Sequence, residues 1–236
     1  MGFLALMQIF ARNFEVAVFL IGGSVIMDGF DGTVARLTKT ESNFGVQLDS
    51  LVDAVSFGLV PAVMIYMFGF EKAGIPLGKV IGFVYLTAGV VRLARFNVLK
   101  EANAVPSNIF VGMPIPLGAL SISSIVLMIQ TPLSNNRDII LFSIYVVTIA
   151  FLMISTIKYR TMKKVKSKYN LPILVALALI VALAILYPRY TIPVLSLIYI
   201  VSPLFFFIYG KFNKNFSQIP PAAPPVENTP NKGEES

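Results

Sequence analysis

The chain has 236 residues, is 56% hydrophobic and 13% charged, and has a mean hydropathy of +0.77. A soluble domain is about 45–50% apolar and about 25% charged, so this composition describes an integral membrane protein, with apolar runs too long for the strands of a membrane barrel. Cysteine and histidine are both absent, which excludes disulfides, thiol catalysis and a Ser-His pair and leaves Asp or Glu as the general base. The net charge of +7 reads as basic loops facing anionic lipid, with no nucleic acid partner.

In chain order, the segment 2–10, GFLALMQIF, is apolar but short of the roughly 20 residues that a crossing requires. It reads as a first transmembrane helix that has lost its beginning, through a start assigned at an internal Met. No basic stretch or small-residue cleavage site marks a signal peptide. Further spans are expected over 14–35, 45–68, 77–99, 110–130, 138–157, 171–187 and 191–209, giving an all-α bundle of about eight transmembrane helices. The fifth opens on the kink-prone GMPIP at 112–116. Three parts follow: a core over 1–157, a basic loop and additional helix pair over 158–214, and a Pro-rich tail over 215–236 expected to be disordered. The run KYRTMKKVKSK at 158–168 is densely basic without an acid, so it is expected in the cytoplasm. Counting back, the 36–43 and 99–109 connections are cytoplasmic as well.

Between the second and third spans lies DGFDGTVARLTKTESNFGVQLDSLVD at 28–53. Asp28 and Asp31 are spaced i,i+3, and Asp49 and Asp53 are spaced i,i+4, so on helices each pair shares a face. Gly32 and Ala35 fall beside the first pair and Gly45 one turn before the second, leaving room for something bulky to approach the backbone. Acids at membrane depth cost about 2.5–3.5 kcal/mol each on insertion scales and are functional by default. Oxygen ligands without histidine suit hard divalent cations. Two carboxylate pairs meeting across a hairpin could hold two such ions and clamp a diphosphate, with Arg36 adding a charge for phosphate. The alternatives are acids merely solvated in a loop, or a divalent-cation transporter, which would spread its acids along a path through several spans.

The eight residues Asp28, Asp31, Gly32, Ala35, Arg36, Gly45, Asp49 and Asp53 match at every position the motif of the CDP-alcohol phosphatidyltransferases, which this chain resembles. SFGLVPA at 56–62, RLARFN at 92–97 and FVGMPIP at 110–116 look like the serine-accepting branch of that family. The longer first helix usual in the family agrees with a lost beginning here. The resemblance implies transfer of a phosphatidyl group from a CDP-linked lipid to the hydroxyl of L-serine, releasing CMP. It implies two Mg²⁺ or Mn²⁺ ions held by Asp28, Asp31, Asp49 and Asp53, with Asp53 as general base. It also implies room for cytidine diphosphate at Gly32, Ala35 and Gly45, phosphate contact by Arg36, and a homodimer in the cell membrane with its active site facing the cytoplasm. Around the serine, Arg92 and Arg95 are candidates for its carboxylate, with Asn97 and Ser56 as hydrogen-bonding partners. Glycerol 3-phosphate or inositol phosphate remains an alternative acceptor.

Overall fold

The computed structural model describes residues 1–38, 42–101, 109–160 and 171–212. The Pro-rich tail and most of the basic 158–168 run lie outside the described residues. The fold is helical: α1 (Gly2–Phe10), α2 (Phe14–Thr38), α3 (Asn43–Asp53), α4 (Val60–Gly69), α5 (Leu77–Glu101), α6 (Ile115–Ile129), α7 (Asn136–Ile154), α8 (Leu171–Leu186) and α9 (Pro188–Phe212). A π-helical segment, Ala54–Leu59, joins α3 to α4. Among the described residues, three helices are long and apolar enough to cross a membrane: Phe44–Gly69, Leu77–Lys100 and Asn136–Ile154. Many large apolar side chains point outward, Phe83 and Phe151 among them, as they do where the surrounding solvent is lipid rather than water.

Helix α1 packs on α2 and α4, although it is only nine residues long. Ala5 and Ile9 bury completely, one turn apart on its inner face. The turn into α2 puts Arg12 at φ 64° and is closed by Asn13 Nδ2 donating to Gln8 Oε1 at 2.9 Å. Inside the bundle, the ring of Phe14 meets Phe68 edge-on at 5.3 Å between centroids, and Phe68 meets Phe142 at 6.3 Å. This aromatic chain ties α2, α4 and α7 together. Helices α4 and α5 approach so closely that a Cβ on Gly82 would stand 2.8 Å from the Ala62 carbonyl.

Two expectations need correction. A helix was expected from residue 110, but Ile109–Val111 is a strand, β1, paired antiparallel with β2 (Lys158–Arg160) in the register Phe110 to Tyr159. Gly112 follows at φ 76°, a region that disfavours any side chain, and a Cβ there would also collide with the Met153 carbonyl. Pro114 then holds an extended backbone, and α6 starts only at Ile115, with Pro116 in its first turn. Likewise α7 ends at Ile154 rather than near 157, because Ser155 turns extended and hands the chain to β2. The additional pair docks on the core through α9, which lies along α6. Ser196 Oγ donates to Ser121 Oγ at 2.6 Å across that contact.

Candidate active site

The site is built where α2 and α3 meet. Asp28 and Asp31 lie on the second half of α2. Helix α3 starts at Ser42, whose Oγ accepts the Gly45 N–H at 3.0 Å, satisfying one of the orphan donors at a helix start. Asp49 and Asp53 follow on one face of α3. Carboxylate oxygens of Asp28, Asp49 and Asp53 all lie within 4.8 Å of one another. Asp28 and Asp53 are half-buried and Asp49 is exposed. Asp31 is exposed and stands outside this trio, close enough for its charge to act on Asp28 and Asp49. Gly32, Ala35 and Arg36 occupy the last turns of α2; what their side chains touch lies outside the described residues. Gly45 has a second reason to be glycine, since a Cβ there would press to 3.1 Å from the capping Ser42 Oγ.

Three negative groups this close repel one another strongly unless a cation stands among them. Oxygen-only donors about 2.0–2.6 Å from a divalent ion sit roughly 3–5 Å from each other across the coordination sphere. The observed spread of up to 4.8 Å fits that geometry, so the donor set suits a hard divalent cation.

Helix α5 forms the wall facing the acids, and its residues divide into different duties. Lys100 acts electrostatically on Asp49, and Arg92 on Asp53. Asn97 Nδ2 donates to Ser50 Oγ at 2.9 Å, and Ser50 Oγ donates on to the Val46 carbonyl. The Asn97 amide thus pins the middle of α3 between its two acids. Arg95 donates from Nη1 to Ile154 O at 2.6 Å, and from Nη2 to Ser155 O at 2.9 Å and to Val111 O and Met153 O at 3.2 Å. These are mostly the orphan carbonyls at the end of α7, so Arg95 is a staple joining α5, β1 and α7. Ser56, in the π segment, is buried with its hydroxyl against Gly2 of α1.

Of the four residues expected around the acceptor, Asn97, Arg95 and Ser56 are therefore engaged in holding elements together. Arg92 is different. It is 5% exposed, its guanidinium carbon lies 5.2 Å from the centroid of the Phe96 ring, and its Nε has no hydrogen-bond partner among the described residues. Sequence reasoning missed the Ser42 cap, although a Ser immediately before an apolar-periodic segment is a legible start signal. It also missed the π segment, which leaves no compositional mark.

Bundle and acid cluster together describe a helical membrane protein in which three carboxylates are gathered where they could hold a cation. The family model for CDP-alcohol phosphatidyltransferase matches residues 1–155, and that for CDP-alcohol phosphatidyltransferase 2 matches 168–202. Relatives that carry the name CDP-diacylglycerol–serine O-phosphatidyltransferase include three from different organisms. One from Helicobacter pylori is 35% identical over 224 residues, which is 91% of this chain and 92% of the relative. One from Bacillus subtilis is 31% identical over 163 residues, 69% of this chain and 85% of the relative. One from Methanocaldococcus jannaschii is 41% identical over 140 residues, 59% and 61% of the two chains. The chain belongs to the CDP-alcohol phosphatidyltransferase family.

Proposed function

We propose that this protein transfers a phosphatidyl group from CDP-diacylglycerol to the hydroxyl of L-serine, giving phosphatidylserine and CMP. The observation that carries the reading is the convergence of Asp28, Asp49 and Asp53 beside the buried Arg92. Relatives named for that reaction over most of their length support the acceptor. Asp53 takes the proton from the serine hydroxyl as its oxygen attacks the phosphorus that bears the diacylglycerol. The bond from that phosphorus to the CMP oxygen breaks, and CMP leaves in a direct displacement. Two Mg²⁺ or Mn²⁺ ions, held by Asp28, Asp31, Asp49 and Asp53, would supply charge neutralisation for the diphosphate. Arg36 contacts a phosphate oxygen, and Gly32, Ala35 and Gly45 leave space for the cytidine diphosphate.

A phosphorylated acceptor calls for several cations around a doubly charged group. With Arg95 engaged by carbonyls, Arg92 offers one buried guanidinium, which suits a carboxylate better. Transport is disfavoured because, among the described residues, the acids cluster at one end of α2 and α3 instead of tracing a path. The basic 158–168 run supports placing that end in the cytoplasm, and the family resemblance supports eight crossings, counting α1 as a partial first one, and a homodimer in the cell membrane.

The test is CMP release from CDP-diacylglycerol by the purified protein. Release should require L-serine and either Mg²⁺ or Mn²⁺, should stop with chelator, and should return on adding metal back. Asp53→Asn should slow it by about 10²–10⁴-fold without lowering the unfolding temperature. Release with glycerol 3-phosphate or inositol phosphate and none with serine would overturn the acceptor.

A further inference from the structure

We propose that Gly2 is a positioning residue for the acid cluster: the backbone of α1 at this position is a stop against the π segment and thereby fixes where Asp53 stands. For its effect on turnover the inference rests on the reaction read above, while its effect on metal binding stands apart from that reading.

Gly2, Ala5 and Ile9 are the buried residues of α1. They follow one another at i, i+3 and i+7, so a single face of the helix meets the core. Ala5 and Ile9 belong to the apolar core that α1 shares with α2 and α4, whereas Gly2 lies against Ser56. No side chain fits there. A Cβ on Gly2 would collide with the Ser56 hydroxyl and would stand 2.9 Å from Ser56 Cβ and 3.0 Å from Ser56 Cα. Rotating the hydroxyl away removes only the first of these contacts, so one of the two backbones has to yield.

The way each backbone is held decides which one moves. Helix α1 is pinned along its length: Ala5 and Ile9 are fully buried, and Arg12, just past its far end, is ion-paired with Glu71 beyond α4. Withdrawing α1 would open a gap in the core and break that pair. The π segment carries one residue more than an α ladder holds, so its hydrogen bonding can redistribute while its side chains stay buried. On the α4 side, the Tyr85 hydroxyl holds the Phe57 carbonyl. A push at Ser56 is therefore relieved toward the other end, which joins α3 at Asp53. Asp53 lies three residues before Ser56, and its carboxylate shares a space of 4.8 Å with those of Asp28 and Asp49. A displacement on the order of 1 Å spoils both a coordination geometry and a proton transfer.

The experiment compares wild type, Gly2→Ala, Ala5→Gly and the double variant Gly2→Ala/Ser56→Gly, each purified as the full chain in detergent. Mn²⁺ binding is measured without substrate, from the paramagnetic resonance signal of the free ion. CMP release is then followed against L-serine at saturating Mn²⁺, and thermal unfolding is recorded for every variant. Gly2→Ala should weaken Mn²⁺ binding about tenfold or more and lower kcat by about 10–100-fold, with the KM for L-serine within about twofold. Ala5→Gly loosens the same helix through a lost buried methyl and a lower helix propensity, without pressing on the π segment. It should lower the unfolding temperature and leave Mn²⁺ binding and kcat within about twofold. Removing the Ser56 side chain makes room for the new methyl, so the double variant should regain Mn²⁺ binding and most of kcat, a non-additive recovery that general destabilisation does not give. Should Gly2→Ala not fold, the double variant must fold and turn over for the proposal to stand. Wild-type Mn²⁺ binding and kcat in Gly2→Ala overturn the proposal, since α1 has then given way instead. A double variant no better than Gly2→Ala overturns it too, as does an equal loss in Ala5→Gly. Wild type that binds Mn²⁺ and releases no CMP with L-serine would bring down the reaction read above, and the Mn²⁺ comparison would still decide the role of Gly2.

Discussion

Arg92 and Arg95 stand one turn apart on α5 and face different demands. Arg95 satisfies carbonyls that have no partner of their own at the end of α7, whereas Arg92 is buried with an N–H still to be satisfied. Truncating the first leaves several part-buried carbonyl acceptors unpaired, at about 1–3 kcal/mol for each that water cannot reach. We expect Arg95→Ala to destabilise the protein by about 2–4 kcal/mol, with Arg95→Lys recovering part of it, in thermal or chemical unfolding in detergent. Replacing the second by an apolar side chain of similar length removes a buried charge, which is often neutral or stabilising. Arg92→Met should accordingly keep or raise the unfolding temperature while raising the serine KM more than about tenfold. Sequence places both arginines near a helix end and cannot separate them, because the α7-end carbonyls that claim Arg95 lie 58 to 60 positions away. The acids were legible for the opposite reason: their partners sit at i+3 and i+4 or across a short connection.

At the scale of elements, the unusual piece is the π segment that begins directly after Asp53. A π turn is an α-helix carrying an additional residue, and such turns are frequent at functional sites. Here Tyr85, itself fully buried, donates its hydroxyl to the Phe57 carbonyl at 3.1 Å, satisfying a group within the distorted ladder. The additional residue rotates α3 with respect to α4, so the apolar face of α4 can pack in the core while Asp49 and Asp53 turn toward Asp28. Deleting Val55 should restore α-helical hydrogen bonding and swing the acids by about 100°. The variant should still insert into membranes, yet bind Mn²⁺ weakly and release no CMP. Long apolar helices, the Pro-bearing start of α6 and the helical positions of the acids follow from periodicity and composition. The π segment and the β1–β2 ribbon do not, since six residues and two runs of three are too short to carry a period of their own.

For the whole molecule, the positive-inside pattern and the absence of cysteine make topology directly measurable. Single cysteines at Lys72 or Asn136 should react with a membrane-impermeant maleimide added outside intact cells, and one at Ser42 only after the membrane is opened. The reverse pattern would invert the orientation. The acids' position along the long helix has a consequence for how substrate arrives. Within the continuous Phe44–Gly69 helix, Asp53 lies about 14 Å along the axis from Phe44, inside the apolar span and not beyond its end. Pulling a diacyl chain into water would cost about 0.8 kcal/mol per methylene over on the order of 30 methylenes. A site at this depth spares that step: the lipid slides in sideways, reacts with its tails still in the bilayer, and slides out as product. Such an enzyme responds to the mole fraction of its lipid in the surface, a two-dimensional concentration, and only its water-soluble partners are counted by volume.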